Sequence, residues 1–516
     1  MDQNRTPLAD ELKKYKDSGR LSMHIPGHKG RSGSSKYDVL SEVIDNSTLS
    51  YDITEIAGFD DFHEPEGIIL EAQQLAAETF GAEETYFLTN GTTSGIMAAI
   101  AACAGEGDLV LAARDCHKSV TRGLILSGAQ PVYIKPHIDG ETLLSAGISA
   151  LDVKSAFEKN PDIKALVLTH PSYYGTYSDL GEIAEIAHSY GAVVIADEAH
   201  GGHLAFAGQE DIPSAMNAGA DIAIQSTHKM PGSLTQSSML HIQGSLVDRE
   251  KLRYFISFMT STSPSYLLMA SLDAVRHRMA MEGQQLWQNV VKFTTAAADA
   301  IDKIPGIKVV KEFSDGNGVR KSLERCRLLI SAIECGLSGS QLADMLFEEY
   351  LIDVEFSDDI YCLAVMGANS QEHDLAALKG ALRYISNHYF SAEGNVEAQV
   401  SDSADTGDDR FSCCVNSQNN KSRVLSLESK CVVSPRKAVS APKTLKTIYN
   451  CAGMISAREI AVYPPGIPCI QPGEVFTKEI VTFIIDEIEK GTHIHGLSHR
   501  KDGDADVWEA AVLLEK

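Results

Sequence analysis

The sequence predicts an α/β fold built on a mainly parallel, seven-stranded sheet with helices on both faces. Short apolar runs alternate with helical patterns over about 160 residues, which is typical of a parallel sheet with crossover helices. Polar, glycine-rich loops follow these runs, at the edge where such sheets bind ligands. The seven strands are predicted at 85–89, 109–113, 131–135, 164–169, 192–197, 220–225 and 237–242.

The helical patterns complete this picture. An apolar-periodic helix over 67–80, ended by Gly81, precedes the first strand, and long helices over 266–301 follow the last one. Helices between the strands are predicted at 94–104, 116–127, 147–159 and 180–190. A smaller α+β unit then follows, with strands at 327–333, 352–356 and 360–365 and helices at 339–349 and 373–388.

A chain of 516 residues is too long for one compact core, so several domains are expected. Residues 394–425 are rich in Ser, Asn and Asp and poor in large apolar residues, a composition typical of a flexible segment, here predicted to be part of an insertion. The predicted regions are an N-terminal segment (1–65), a large domain carrying the candidate site (66–300), a small α+β domain (301–392), a flexible insertion (393–445) and a C-terminal domain (446–516).

Composition excludes several classes of partner. The net charge of −25, from 45 basic and 70 acidic side chains, argues against nucleic acid or an anionic membrane and is compatible with a small cationic substrate. We find no apolar run approaching the roughly 18–20 residues of a membrane span. The ten cysteines show no C-x-x-C spacing, so neither a metal site nor a disulfide framework is expected. A cytoplasmic location is expected, or an organelle if a targeting segment has been removed.

The most informative motif is Ser226-Thr227-His228-Lys229, which directly follows the predicted strand at 220–225. Another apolar strand ends upstream at Asp197, in "AVVIADEAH". A lysine amine can hold the aldehyde of pyridoxal phosphate as a Schiff base, and an aspartate can keep the pyridine nitrogen protonated so that the ring accepts electrons. The pairing of the two motifs therefore predicts a pyridoxal phosphate site.

Other loops at the same sheet edge offer further contacts. "TNGTTSG" (89–95) places the hydroxyls of Thr92, Thr93 and Ser94 at a helix start, where a phosphate binds well, although an ordinary capped helix start explains the motif equally well. His117 can stack on the ring or simply begin a helix, and Ala199 can pack under the ring. His200 can lie beside the cofactor or close the turn, and Ser226 and His228 can donate to the phosphate. The candidates for contact with the ring oxygen are Thr169, His170 and Tyr173.

These residues, in this order, resemble the pyridoxal-phosphate-dependent ornithine/lysine/arginine decarboxylases of the aspartate-aminotransferase fold, fold type I. The resemblance covers roughly 5–390 and 446–497. It is carried by "HIPGHKG" (24–30), "FDDFHEPEGII" (59–69), "NGTTSGIMA", "DEAHGGH", "STHKMPGSLTQSSML", "TSTSPSYLLMASLD" (260–273) and "YPPGIPCIQPGE" (463–474).

The resemblance implies roles for individual residues. Lys229 is the Schiff-base lysine, Asp197 the pyridinium partner and His117 the stacking residue, with phosphate contacts from Thr92, Thr93, Ser226 and His228. The stretch 260–263, including Ser261 and Thr262, reaches the cofactor of a neighbouring subunit, which implies a homodimer or a larger homo-oligomer. The chain is similar to the short form of the family, without a receiver-like N-terminal domain, so arginine is the expected substrate, then ornithine, then lysine.

Three alternatives for function follow. A decarboxylase of a basic amino acid would form a polyamine precursor and would need an acidic pocket. Glu355, Asp358 and Glu474 are candidates for that pocket, although a carboxylate in such a position is more often a solvated surface residue. Lys229 or His228 would return a proton to the substrate Cα. An aminotransferase or another lyase on the same fold would give a keto acid or a different product. A non-catalytic regulatory partner is disfavoured because the Lys229 and Asp197 motifs are intact.

Overall fold

The computed structural model describes residues 1–33, 35–390, 427–463, 467–503 and 505–514 of the chain. The predicted alternation of strands and helices is present, with most boundaries within three residues of the prediction. The first elements are α1 Pro7–Asp17, α2 Leu40–Val43, α3 Asn46–Leu49, α4 Ile68–Phe80, β1 Glu84–Leu88, α5 Gly91–Cys103, β2 Leu109–Ala113, α6 Lys118–Ser127, β3 Gln130–Ile134, α7 Ala150–Lys159, β4 Ile163–Thr169, α8 Leu180–Ser189, β5 Val193–Asp197, α9 Leu204–Ala207, β6 Ile222–Gln225, β7 Ser238–Ile242, α10 Arg249–Phe258 and α11 Tyr266–Ile301.

Smaller elements make up the rest of the chain. They are β8 Lys308–Val310, β9 Glu312–Ser314, β10 Arg320–Ser322, β11 Arg327–Ser331, α12 Gly339–Tyr350, β12 Phe356–Ser357, β13 Cys362–Val365, α13 Glu372–Tyr389, α14 Pro435–Ser440, β14 Lys443–Thr447, β15 Ile460–Tyr463, β16 Ile467–Ile470, α15 Lys478–Glu489, β17 His493–His495, β18 Leu497–Asp502 and β19 Ala505–Leu513. The strand expected over 352–356 is reduced to the two residues of β12.

The predicted mainly parallel, seven-stranded sheet is confirmed, with the strand order β1-β7-β6-β5-β4-β2-β3. Strand β2 runs parallel to β3 and β4, and β5 runs parallel to β6. Strand β7 is antiparallel to both β1 and β6. Strands β5, β6 and β7 are buried along their whole lengths, which explains why their sequences are almost continuously apolar.

The chain divides into two compact units, one formed by 1–103 with 193–288 and the other by 104–192 with 289–516. In the first unit, α5 packs against β1, β6 and β7. Gly95 makes this close packing possible, because a Cβ atom there would lie 2.6 Å from Cδ1 of Leu88 and 2.9 Å from Cγ2 of Ile224. The glycine inside "TNGTTSG" therefore serves packing between the helix and the sheet.

The second unit holds the smaller sheets. One has the order β12-β13-β11-β8, and two three-stranded sheets, β14-β19-β18 and β16-β15-β17, lie near the C-terminus. Helix α15 contributes Ile480, Phe483 and Ile484 to the apolar core of this C-terminal region. No helix among the described residues is long and apolar enough to cross a membrane.

The predicted insertion at 393–445 is only partly described. Its residues 393–426, which include the stretch 394–425 expected to be flexible, lie outside the described residues. Regular structure begins before the predicted boundary at 446, with α14 and β14. Arg436 holds α14 by donating to the carbonyl of Ile125 (2.9 Å) and to Glu106 (2.7 Å). A six-residue helix that depends on such long-range contacts cannot be predicted from its local amino-acid composition.

Candidate functional site

Lys229, the lysine predicted to hold the cofactor, lies in a turn directly after β6. Its backbone N–H donates to the carbonyl of Ser226 at 3.0 Å, which closes the turn. Its side chain is exposed, and its Nζ lies 2.9 Å from Nε2 of His200. His200 follows the end of β5, so this contact joins the two strand ends that carry "DEAH" and "STHK". The amine of Lys229 is thus both accessible and oriented.

Asp197 ends β5 and is 3% exposed. The backbone N–H of Ala199 donates to its Oδ1 at 3.2 Å. Burial raises the pKa of Asp197 to about 6, and the charge of Lys229 opposes that shift. A carboxyl with this pKa is ionised at neutral pH, which is the state needed to hold a proton on a ring nitrogen. Because the charge of Lys229 lowers the pKa of Asp197, the two side chains are close enough to interact electrostatically.

A cluster of buried hydroxyls lies where α5 begins and β6 ends. Oγ1 of Thr92 is 2.5 Å from Oγ of Ser226 and 3.2 Å from Oγ of Ser238. Ser94 donates to the carbonyl of Gly91 within the first turn of α5, and Thr93 is half-buried beside it. Hydroxyl donors at a helix N-terminus form a suitable phosphate site. Ser238 was not among the predicted residues, because it comes near Thr92 only through strand pairing, in which β7 sets Ser238 opposite Leu88 of β1.

His228 is half-buried, and its Nδ1 donates to the carbonyl of Ser237 at 2.8 Å. Burial lowers its pKa, the bond to Ser237 raises it, and the charge of Lys229 lowers it further. With the proton on Nδ1, the neutral imidazole presents Nε2 as an acceptor. The expected donation from His228 to a phosphate would therefore require a second proton on the ring.

The loop between α10 and α11 contains Ser261 and Thr262, both exposed. Nε2 of His63 lies 3.1 Å from the Ser261 carbonyl, and the Ser263 N–H donates to Ser261 Oγ at 3.1 Å. These contacts order the loop. They leave its role toward a second subunit a prediction.

In the second unit, His117 is exposed and begins α6. Its Nδ1 accepts from the N–H of Ser119 at 3.2 Å and lies 2.9 Å from Ser119 Oγ. The helix-start interpretation of this histidine is therefore observed. The exposed ring also leaves the stacking role open, and that role stays a prediction.

The three carboxylates predicted to bind substrate have different environments. Glu355 is exposed and accepts from the hydroxyl of Tyr173 at 2.7 Å. Asp358 is buried and accepts from Tyr174 (2.9 Å) and from two backbone N–H groups, those of Ile360 and Tyr361. Asp358 therefore has the contacts of a residue that stabilises a turn, whereas Glu355 is open to a ligand.

Glu474 is 1% exposed and pairs with the guanidinium of Arg114 at 2.9 Å. It also accepts from the backbone N–H of Gln471 at 2.7 Å. Burial raises the pKa of Glu474 and the Arg114 charge lowers it. The charge of Glu474 is thus compensated within the chain, and Glu355 becomes the better supported of the predicted substrate residues. Arg114, three residues before His117, was missed because its partner lies far away in sequence.

Comparison with models of known protein families identifies the family of this chain. The model described as the Orn/Lys/Arg decarboxylase major domain matches residues 6–322, and the model for the C-terminal domain of that family matches residues 421–511. The chain belongs to the Orn/Lys/Arg decarboxylase family. The resemblance drawn from the motifs is confirmed.

Among its relatives, this Orn/Lys/Arg decarboxylase family member is 37% identical over 498 residues to an arginine decarboxylase of Bacillus subtilis, with 96% of each chain covered. It is 36% identical over 498 residues to an arginine decarboxylase of Halalkalibacterium halodurans, again with 96% of each chain covered. It is 30% identical over 334 residues to the lysine decarboxylase LdcA of Pseudomonas aeruginosa, which covers 57% of this chain and 43% of that protein.

Solved structures confirm the fold. The crystal structure of the Francisella novicida lysine decarboxylase LdcF matches with a TM-score of 0.81 at 20% identity, covering 98% of this chain and 81% of that one. The structure of lysine decarboxylase A from Pseudomonas aeruginosa matches with a TM-score of 0.82 at 21% identity, covering 98% and 80%. At this identity the likeness concerns the fold alone.

Proposed function

We propose that this chain is a cytoplasmic, pyridoxal-phosphate-dependent decarboxylase that converts L-arginine to agmatine and CO2 in polyamine biosynthesis. The observation that carries the proposal is the accessible Lys229 amine, 2.9 Å from Nε2 of His200, at the end of the strand beside the one that ends in the buried Asp197. The choice of arginine rests on the names of the Bacillus relatives, which match over nearly the full chain.

The residues present fit the cofactor. The cluster of Thr92, Ser226 and Ser238 at the start of α5 supplies hydroxyl donors for a phosphate. Thr227, in the lysine turn, is fully buried, and its Oγ1 has no hydrogen-bond partner among the described residues. When bound, pyridoxal phosphate supplies an electron sink for cleavage at the substrate Cα.

The side chains of the first unit then have distinct tasks. Lys229 would hold the cofactor through its side-chain amine and would be free to release it to the substrate amine. Asp197 would keep a proton on the ring nitrogen, and its burial would strengthen that interaction by excluding water. The substrate Cα would need a proton in place of the lost CO2. Because neutral His228 has its proton on Nδ1, directed at Ser237, we assign the donor role to the Lys229 ammonium.

Glu355 gives the proposal a test for substrate choice. A guanidinium prefers a planar carboxylate that accepts two hydrogen bonds, whereas an ammonium needs only a point contact. Glu355→Gln removes the charge and keeps the shape, so kcat/KM for arginine should fall about 10-fold to 100-fold, equivalent to the loss of a charged hydrogen bond of roughly 1.5–3 kcal/mol. KM should carry most of this change.

The control for that variant is Glu349→Gln, which changes an exposed glutamate of α12. It should leave the kinetics for arginine unchanged. Equal effects of both substitutions, or none from Glu355→Gln, would remove Glu355 from the substrate site.

The competing substrates are ornithine and lysine, and the lysine decarboxylase of Pseudomonas aeruginosa among the relatives supports the second of these. Purified protein loaded with pyridoxal phosphate should release CO2 and agmatine from arginine at a kcat/KM well above that for the other two. A higher value for lysine or ornithine would correct the substrate and keep the reaction. A keto acid product would place the chain among aminotransferases instead.

A further inference from the structure

Glu198, directly after Asp197, is a completely buried carboxyl to which the proposed function gives no role. Its Oε1 accepts from the backbone N–H of Ala215 at 2.7 Å, and its Oε2 accepts from Nε2 of Gln225 at 2.8 Å. Burial raises the pKa of Glu198 to about 8, against the two hydrogen bonds. An isolated acid is costly to bury, so a fully enclosed one points to a specific use.

The contacts of Glu198 continue through a chain of buried polar groups. Oε1 of Gln225 lies 3.1 Å from Nε2 of His241, whose Nδ1 lies 2.7 Å from the hydroxyl of Thr85. Gln225, His241 and Thr85 are 2%, 0% and 3% exposed. Phe80 stacks on the His241 ring with 5.0 Å between centroids. We call Thr85, His241, Gln225 and Glu198 the buried relay.

The polarity of the relay follows from its chemistry. Burial lowers the pKa of His241 to about 3, so the imidazole is neutral and one nitrogen donates while the other accepts. When Gln225 donates to Glu198, its carbonyl must accept from Nε2–H of His241, and Nδ1 must accept from Thr85. Each donor then points toward Glu198, and Glu198 is the terminal acceptor.

The relay crosses four neighbouring strands, because Glu198 follows β5, Gln225 ends β6, His241 lies in β7 and Thr85 lies in β1. Thr85 and His241 are directly opposite each other in the β1–β7 pairing. Along the chain, Glu198 is next to Asp197 and Gln225 is next to Ser226. The relay therefore ties together the two strand ends that carry the ring-nitrogen partner and the lysine turn.

We propose that Glu198 is a positioning residue, which through the buried relay fixes Asp197 and the Ser226–Lys229 turn in the geometry that retains the cofactor. This inference rests on the proposed function only for the identity of the bound group. The hydrogen bonds themselves are properties of the first unit.

The test exchanges the acid and the amide of the relay. Glu198→Ala leaves two buried donors without an acceptor, so the dissociation constant for pyridoxal phosphate should rise roughly 10-fold to 100-fold. Gln225→Glu places a second carboxyl against Glu198. Such a pair can share one proton but cannot hold two charges, so cofactor retention should match wild type near pH 6.5 and fall as pH rises toward about 9.

The double variant Glu198→Gln/Gln225→Glu restores one acid and one amide in exchanged positions. The amide introduced at position 198 can accept from Ala215 and donate to the carboxylate at position 225, whose other oxygen still accepts from His241. The pH profile of cofactor retention, read from the visible absorption of bound cofactor after gel filtration, should return to that of wild type. A purely steric role would give no such rescue.

The outcomes are separable. Glu487 is another buried glutamate, which accepts from Lys490 and Thr492, and Glu487→Ala serves as the control for loss of a buried acid. It should lower Tm without changing the pH profile. The inference is overturned if the double variant shows the same high-pH loss as Gln225→Glu, or if folded Glu198→Ala retains cofactor like wild type.

If the wild-type protein takes up no pyridoxal phosphate, the proposed function is refuted, but the inference about the buried relay is not. The relay would then be judged by Tm against pH. Because one buried acid with a raised pKa already makes wild type lose stability as pH rises, Gln225→Glu should lose more Tm than wild type toward high pH, and the double variant should lose only as much as wild type. An equally large loss in Gln225→Glu and in the double variant would overturn the relay.

Discussion

Asp197 and Glu198 are adjacent carboxyls in very different surroundings. Both are buried and both have raised pKa values, about 6 and about 8. Asp197 has the charge of Lys229 to favour its anion, whereas Glu198 has only neutral N–H donors. The difference suits two tasks, an anion beside the cofactor ring and an acceptor for the buried relay. One residue of offset along a strand end is enough to separate them, since successive side chains point to opposite faces.

Replacing Lys229 by alanine should abolish turnover and covalent capture of the cofactor. The side chain is exposed, so the fold should be unaffected. Borohydride treatment followed by peptide mass spectrometry should find the pyridoxyl group on Lys229 in wild type and on no residue of the variant. Lys251→Ala, at an exposed position of α10, is the control and should behave as wild type. A variant at position 229 that keeps its visible band and its activity would disprove the site.

Asp197→Asn should bind cofactor and lose activity on the order of 10³-fold or more, because an amide cannot hold the ring nitrogen protonated. A second effect concerns the apoprotein. The pKa of Asp197 is higher in the folded state, about 6 against 3.8, so its contribution to stability is greatest at low pH and declines as pH rises through about 6. Thermal unfolding of the apo variant should lose that decline. Wild-type turnover would refute the proton-holding role.

At the scale of elements, the site depends on how closely α5 packs on the sheet. The helix begins at Gly91, and its first turn carries Thr92 and Ser94. Thr92 reaches Ser226, which follows β6, and Ser238, which begins β7, because β7 pairs with both β6 and β1. The phosphate contacts proposed above are therefore set by a helix–sheet distance as well as by the side chains themselves.

Gly95→Ala tests that distance. The added methyl would lie closer than van der Waals contact to Leu88 and Ile224, and overpacking of this kind costs about 1–3 kcal/mol. Tm should fall and the cofactor affinity should weaken, because α5 must shift away from the strands.

Gly380→Ala in α13 is the matched control. Apart from its chain neighbours and its own helix backbone, no atom of the described residues lies within 4 Å of the added Cβ, and alanine should stabilise the helix by about 0.5–1 kcal/mol. Opposite signs in the two Tm shifts are expected. A stable Gly95 variant with unchanged cofactor binding would contradict the packing argument.

At the scale of the whole molecule, we propose a homodimer or a larger homo-oligomer with shared sites. The exposed loop containing Ser261 and Thr262 is the contact assigned to the neighbouring subunit, by the family resemblance. A shared site makes cofactor retention depend on association, so stability should increase with protein concentration.

Mixing two inactive chains gives the direct test. One chain carries Lys229→Ala and the other carries alanine at positions 261 and 262. A hybrid dimer has one site with both defects and one with neither, so activity should partly return after exchange of subunits. Each chain mixed with itself is the control. Hybrids that form and remain inactive, or a fully active monomer on dilution, would exclude a shared site.

Sequence alone predicted the features that depend on local chemistry. Strand–helix alternation predicted the seven-stranded sheet, and "DEAH" with "STHK" led to Asp197 and Lys229, because period, apolar runs and strand-end loops leave marks in adjacent residues. Helix α14 could not be predicted from adjacent residues, because Arg436 holds it by donating to the carbonyl of Ile125, which is distant in sequence.

The tertiary structure decided which polar groups meet. Ser238 joins Thr92, Arg114 pairs with Glu474, and Glu198 connects through Gln225 and His241 to Thr85, although these partners are separated by tens to hundreds of residues. A hydrogen bond forms only within about 3.5 Å, and pKa values respond to burial as strongly as to charge. Both depend on strand order and helix packing, which bring together side chains that no local pattern in this sequence pairs.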